Sequence, residues 1–313
     1  MRLSVAPLLS VAPRSAARLS IGRFSIGPST RRFVVQQAKV WLRAVLPWPM
    51  VAWCEAFYFA RFGEVELRLV GPLCRPDRDS IDVGANVGTY LHAMRRHSRR
   101  VYAFEPVPWL ARMLARKFGP KIVVREVALS REARTAALHI PVVDGAPVTG
   151  LSTLSDELAA QEAPCRDIAV ETRPLDEIYE GDVGFIKIDV EGHEDSVLQG
   201  AQRTIDRCRP RVLVEAEERH GAGAVQRVQA FFGRRAYRGY FVFQHCLAPI
   251  ERFDPRRMQR SEDIAGYAPG LPRARFDRYV NNFIFLPAEE PATTLAELQV
   301  ALDAHGAAPA EAL

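Results

Sequence analysis

Apolar residues change period along this chain, and the changes divide it into segments. Phe33, Val34, Ala38, Trp41, Leu42 and Val45 recur at three- and four-residue steps, with Lys39 and Arg43 elsewhere on the wheel. That spacing predicts an amphipathic helical extension over 33–63, broken at Pro47-Trp48-Pro49. From about Glu64 the pattern turns into alternating strands and helices. Val65, Leu67 and Leu69 alternate as a strand does, and Arg75-Pro76-Asp77-Arg78 makes a turn. A strand ending at Ile81-Asp82-Val83 leads through a glycine turn into a helix reaching about His97. Strands over 101–105 and 122–127 follow, separated by a helix over 109–118. Residues 130–173 interrupt the rhythm with two strands (135–140 and 168–172) and a loop-like stretch over 145–155. It resumes with strands at 183–190 and 212–215 and helices at 194–207 and 222–232. Short strands at 241–244 and 282–286 come last. Strand–helix alternation of this kind predicts an α/β fold with a doubly wound, mostly parallel Rossmann-like sheet. The domain spans 64–290, with an inserted β segment near 130–173 and a C-terminal helix and frayed tail over 291–313.

Charge redraws the N-terminal boundary. Among 313 residues with a net charge of +5, the first 63 carry eight Arg and one Lys against a single acid, Glu55. The remainder carries 33 basic and 36 acidic residues, so the domain itself is slightly acidic and gives no ground for nucleic-acid binding. Residues 1–32 contain no acid and are rich in Arg, Ser, Ala and Pro. They read as a disordered leader, with an organellar transit peptide as the alternative; Pro7, Pro13 and Arg14 interrupt any secretory apolar core. The apolar run in 33–62 falls far short of the roughly 20 residues a membrane span needs. This segment is read as a helix packed on the following domain, with membrane-surface contact as the second reading. Five cysteines, at 54, 74, 165, 208 and 246, are odd in number and contain no C-x-x-C pair. Reduced thiols in a cytoplasmic protein fit that pattern better than a disulfide framework.

Candidate chemistry gathers at two strand ends. The first is Ile81–Tyr90, where Gly84 and Gly88 bracket a turn between strand and helix, with Asn86 where many nucleotide loops carry another glycine. Glu105 ends the next strand, placed to accept hydrogen bonds from ribose hydroxyls. The second is Lys187-Ile-Asp-Val-Glu-Gly-His-Glu194, where period-two geometry aims Lys187, Asp189 and Glu191 to one side. Such a density of titratable groups points to proton transfer or substrate contact. His193 titrates near neutrality and is a candidate base. Asp189, Glu191 and His193 lack any established metal-ligand spacing, so no metal is expected. Glu215 and Glu217 either line the same pocket or pair with Arg219.

The stretches Asp82-Val-Gly-Ala-Asn-Val-Gly-Thr-Tyr90, Phe104-Glu-Pro106, Val127-Ala-Leu-Ser130 and Ser152-Thr-Leu154 occur in family order. Phe185-Ile-Lys-Ile-Asp-Val-Glu-Gly-His-Glu194, Val197-Leu-Gln-Gly-Ala201 and Arg209-Pro210 follow them. Together they make residues 64–287 resemble the FkbM family of S-adenosylmethionine-dependent methyltransferases. The resemblance implies a class I methyltransferase fold and a cofactor set of Asp82, Gly84, Ala85, Asn86, Gly88 and Tyr90, with Glu105 on the ribose. It also implies that Val127 and Ala128 lie near the adenine, although Glu126 stands where the family usually has Asn. Members typically methylate a hydroxyl of a sugar or secondary metabolite, so a small-molecule or glycan acceptor is implied.

Removing the hydroxyl proton then falls to Asp189 or His193, with Glu191 orienting His193 or binding a sugar hydroxyl. An NAD-dependent oxidoreductase is the competing enzyme class, disfavoured because the turn lacks G-x-G-x-x-G. A non-catalytic nucleotide-binding module is the other alternative. Residues 130–173 and 246–280 are expected to shape the acceptor pocket.

Overall fold

The computed structural model describes residues 46–143, 145–160, 164–264 and 278–304. The leader, the 33–45 half of the helical extension and the tail beyond 304 lie outside the described residues. A helix at Trp48–Phe62 precedes β1 (Asp79–Val83), the helix Leu91–His97, β2 (Val101–Phe104), the helix Pro108–Phe118 and β3 (Ile122–Arg125). There follow β4 (Ala128–Leu129), β5 (Arg134–Val143), β6 (Ala146–Pro147), β7 (Cys165–Arg173) and β8 (Val183–Ile188). Helices Glu194–Gln199 and Gln202–Cys208, β9 (Arg211–Glu215) and the helix Ala224–Gly233 lead to β10 (Tyr237–Phe243) and β11 (Cys246–Pro249). The strand β12 (Asn282–Pro287) and the helix Ala292–Asp303 complete the described chain.

Among the described residues, eight strands form the main sheet in the order β11-β10-β12-β9-β8-β1-β2-β3. The run from β3 through β2, β1 and β8 to β9 is parallel, while β12, β10 and β11 pair antiparallel. The chain winds from β1 outward to β3, then crosses over to build β8 and β9 on the other side. The switch in winding direction therefore falls between β1 and β8, where ligands of open α/β sheets bind beyond the strands' carboxyl ends. A second sheet, β4-β7-β5-β6, is built from the 128–173 segment.

Alternation along the central strands serves two apolar layers. Ile81, Val83, Ile186, Ile188, Val212 and Val214 join one core under the helices that follow β8 and β9. Val101, Ala103, Phe185, Leu213 and Ile284 join the other, with Leu91, Met94, Leu114 and Leu298. Strands buried on both faces are what a parallel sheet requires.

Several expectations change. The helix Trp48–Phe62 starts at the Pro47-Trp48-Pro49 triplet, where the break was expected, because proline fits the first turn, where its missing N–H costs nothing; the changes lie elsewhere. Residues Val65–Leu69 form a 3₁₀ turn running into the helix Val70–Leu73, not a strand. The fully buried set there is Leu69, Val70 and Leu73, a helical spacing. The helix expected over 194–207 is two helices meeting at Gly200. A Cβ at that glycine would stand 2.0 Å from the Ser130 carbonyl oxygen, so the backbone there is pressed against the strand-end loop. The strand β11 carried no sequence signal strong enough to separate it from a loop.

Candidate active site

Register alone brings the two predicted strand ends together. Strands β1 and β8 pair with Asp82 opposite Lys187 and Val83 opposite Ile188. The Asp189 N–H continues the ladder onto the Val83 carbonyl at 3.0 Å. Gly84 follows at φ +77°, and a Cβ there would lie 1.8 Å from the Asp189 carbonyl oxygen. Only glycine lets these two loops touch. Asn86 takes φ 46° and Glu191 φ 47°, left-handed conformations that cost non-glycine residues strain and mark both loops as specially shaped.

A cleft of about 630 Å³, counting the space open to solvent, lies between them. Gly84, Asn86, Glu105, Ala128, Asp189, Glu191 and His193 line it, so four of the cofactor candidates and all three catalytic candidates meet there. Thr149, Gly150, Ser152 and Leu154 close it from the 130–173 segment. Of the described residues in 246–280 none lines it, and β11 extends the sheet at its far edge; residues 265–277 lie outside the described residues. Asp82, Ala85, Gly88, Tyr90 and Val127 do not line the cleft. Asp82, Ala85, Tyr90 and Val127 are buried, and Gly88 is held by the fit of its turn against Leu114 and Phe118.

Glu105 is built into the Gly84–Gly88 turn. Its Oε2 accepts the Asn86 N–H at 2.7 Å and its Oε1 the Val107 N–H at 2.9 Å. Burial pushes its carboxyl up to about 7, although those two bonds favour the ionised form. Each oxygen keeps lone-pair capacity for a further donor. Beneath the turn, the buried Lys117 ammonium donates to the Val87 carbonyl at 2.7 Å and pairs with Glu55 of the helix Trp48–Phe62. The helix Trp48–Phe62 is thus tied to the Gly84–Gly88 turn.

Two charged sets diverge from the β8 end. Lys187 is 1% exposed and lies on the face shared with Asp82. Its Nζ is 3.6 Å from Asp189 Oδ2, 3.9 Å from Glu215 Oε2 and 5.1 Å above the Tyr90 ring. Burial disfavours its charge, but Asp189, Glu215, Glu64 and Asp82 outweigh that and raise its pKa. Burial pushes Asp82 up to about 7, with Lys187 opposing and the Asp189 and Glu105 charges adding. Tyr90 donates its hydroxyl to Glu64 Oε2 at 2.7 Å, which places it behind the cleft and not in it.

The second set hangs on loops. Glu191 accepts from His220 Nε2 at 3.0 Å and from Arg219 at 3.2 Å, so it does not orient His193. His193 instead shares a 2.9 Å hydrogen bond between its Nε2 and Ser130 Oγ. Burial, with Arg134 and Arg131 nearby, pulls its imidazole down to about 4, which keeps it neutral. Glu217 takes both Arg219 and the Tyr279 hydroxyl and is buried, so the pairing expectation holds for Glu217, while Glu215 bonds Asn281. Burial raises the Glu191 pKa, opposed by the His220 bond; burial lowers that of His220, but Glu191 outweighs it and the net shift is upward. The ligand atoms of Glu191, Glu217 and His220 lie within 4.8 Å of one another. Arg219 already bonds both carboxylates, so a cation would have to displace it. Sequence reasoning offered Arg219 as a partner of Glu217 but missed its bond to Glu191, and missed Ser130, His220 and Tyr279 as partners, because most lie far along the chain from the group they hold.

The cleft combines polar loops with apolar walls. A tight glycine turn, an acid on the next strand end and apolar walls from Val107, Ala128 and Leu138 meet there. Residues 82–241, more than half of the chain, match the model of the methyltransferase FkbM domain. No curated relative matches. Among solved structures, the chain is similar to a methyltransferase FkbM from Methylobacillus flagellatus at 17% identity, covering 82% of this chain and 59% of that one with a TM-score of 0.42. A TehB-like S-adenosylmethionine-dependent methyltransferase from Corynebacterium glutamicum matches at 11% identity over 83% and 99% of the two chains, TM-score 0.36. An S-adenosylmethionine-dependent O-methyltransferase from Thermotoga maritima matches at 10% identity over 72% and 64%, TM-score 0.34. The chain therefore spans less than two thirds of the length of the Methylobacillus protein. None of the three bears on what this chain does.

Proposed function

The chain belongs to the FkbM methyltransferase family, for which S-adenosylmethionine is the cofactor, and from that premise we propose that it methylates a hydroxyl oxygen of a small polar acceptor, a sugar or secondary metabolite. The observation that carries this reading is the direct pairing of β1 with β8, which opens the Gly84–Asn86 turn and the Asp189–His193 loop onto one cleft.

When bound, the cofactor would supply an electrophilic methyl on a sulfonium for the acceptor oxygen, with the thioether as the leaving group. Everything else belongs to the protein. Gly84 and Asn86 hold the amino-acid end and Glu105 the ribose hydroxyls, with Ala128 at the adenine side. Asp189 takes the acceptor's proton onto its carboxylate: it lines the cleft, and its side chain is a third exposed. Lys187 steadies that carboxylate from behind without entering the cleft. Neutral His193, tied to Ser130, offers a polar wall for a second acceptor hydroxyl. Glu191 is committed to His220 and Arg219 and fixes the loop's left-handed shape. Alignment of the two reactants supplies the larger share of the acceleration, and proton removal about 10²-fold.

Calorimetry with S-adenosylmethionine against NAD is the first measurement, and preference for NAD sinks the reading. Labelled methyl transfer into glycan and metabolite extracts, followed by mass analysis, then identifies the acceptor. A methyl found on nitrogen overturns the hydroxyl assignment.

A further inference from the structure

The helix Trp48–Phe62 presents two faces of opposite character. Val51 and Ala52 are buried, Glu55 pairs with Lys117, and the Phe59 ring lies 6.3 Å from His92. Those positions fall on one side of the wheel and seat the helix on the domain. On the other side, Met50, Trp53 and Phe57 form a stripe at i, i+3 and i+7, exposed at 51%, 68% and 67%. The Trp53 and Phe57 rings stack at 6.4 Å. Three large apolar side chains aligned outward from one short helix are a contact surface, not scattered surface residues.

Its charged surroundings select the partner. The two α-helices packed against it, Leu91–His97 and Pro108–Phe118, contain no acid and expose Arg96, Arg112 and Arg116, while the 3₁₀ turn Val65–Leu69 that also touches it carries one acid, the buried Glu66. The sequence ahead of the helix is equally one-sided, with eight basic residues and no acid in residues 1–45.

An apolar ridge in a basic setting fits an anionic bilayer, whose acyl boundary takes the aromatic side chains while its headgroups meet the arginines. We propose that the Met50–Trp53–Phe57 stripe docks this protein on the surface of an anionic membrane. The contact is peripheral: among the described residues, no helix is long and apolar enough to cross a membrane. It stands independently of the methyl-transfer reading.

Sedimentation of the full-length chain with vesicles tests the proposal. Phosphatidylglycerol-containing vesicles should carry the protein down, and pure phosphatidylcholine vesicles should carry at least about tenfold less. The double variant Trp53→Ser, Phe57→Ser should lose about tenfold or more in partitioning. Arg112→Ala and Arg116→Ala should each cost roughly fivefold, an effect that added salt erases. Thermal unfolding of the double variant should match that of the wild type, which shows that it folds. Absence of binding to anionic vesicles overturns the proposal, as does binding that survives the double substitution. A concentration-dependent dimer that the double variant abolishes, without vesicle binding, also overturns it and gives the stripe to a second copy.

Discussion

Two sets of buried charge lie along the same sheet edge and are held in opposite ways. Asp82, Lys187 and Glu215 ride on β1, β8 and β9, so strand register fixes their spacing. Glu191, Glu217, Arg219 and His220 ride on the connections beyond those strands, and their mutual hydrogen bonds fix them. The strand-borne set is sealed behind the cleft, whereas the loop-borne set reaches it through Glu191. The difference assigns the tasks: rigid charges set the electrostatics of the site, and adjustable ones shape its wall. Asp189 belongs to both, bonded to the ladder through its backbone and open to the cleft through its side chain.

Removing the cation of the strand-borne set should have the largest effect. Lys187→Met leaves Asp82, Asp189 and Glu215 facing one another without their ammonium. The expected loss is about 3–5 kcal/mol, the usual result of breaking a buried pair from one side. Chemical denaturation measures it, and a loss below about 1 kcal/mol would show that the acids are already neutral in the fold.

Asp189→Asn tests the shared residue. It keeps the backbone bond to Val83 and removes the proton acceptor, so turnover should fall about 10²-fold while cofactor affinity changes little. A fall in cofactor affinity with turnover intact would move Asp189 from the chemistry to the cofactor. His193→Ala on the same assay should act on KM more than on kcat, because a neutral imidazole bonded to Ser130 binds and does not abstract.

The two sets also explain what could be read from sequence. Strand-borne positions follow period two, so the carboxyl-edge placement of Lys187, Asp189 and Glu105 was legible, as was the glycine turn. Loop partners obey no period. His220 lies in a 3₁₀ turn after β9, and nothing in its neighbours marks it as the partner of Glu191. The same limit explains Val65–Leu69, where three alternating apolar residues suit a strand and a tight helix alike until the burial of Leu69, Val70 and Leu73 decides. Gly200 belongs to this class too: its break in the helix is dictated by the Ser130 carbonyl, remote in sequence.

His220→Ala breaks the loop-borne set. Glu191 then keeps Arg219 alone, and the expected loss is about 1–3 kcal/mol for a buried acceptor deprived of one partner. Its sign with pH is fixed. The folded imidazole pKa is raised, so the contribution is fully present below the ordinary imidazole value and disappears as pH rises through the folded one. Wild type and variant should therefore converge in stability on the alkaline side. A gap that stays constant with pH would make the His220 contribution one of packing.

The smallest effect separates the cofactor turn from both charged sets. Glu105 titrates at about 7 with both oxygens already accepting backbone N–H groups, so ribose hydroxyls add donors that favour the carboxylate. Cofactor affinity should therefore rise with pH through about 7 and level off above it. For one coupled proton, the fall below that point approaches about tenfold per pH unit. Asp82 also titrates at about 7, but it does not line the cleft, so Asp82→Asn should leave the slope in place. Glu105→Gln should abolish the slope and hold affinity at a low, pH-independent value, because an amide offers one acceptor oxygen in place of two. Calorimetric titration across the range decides between them. A slope that follows Asp82 would mean that the strand-borne charges reach the cofactor through the sheet, and the division between the two sets would fall.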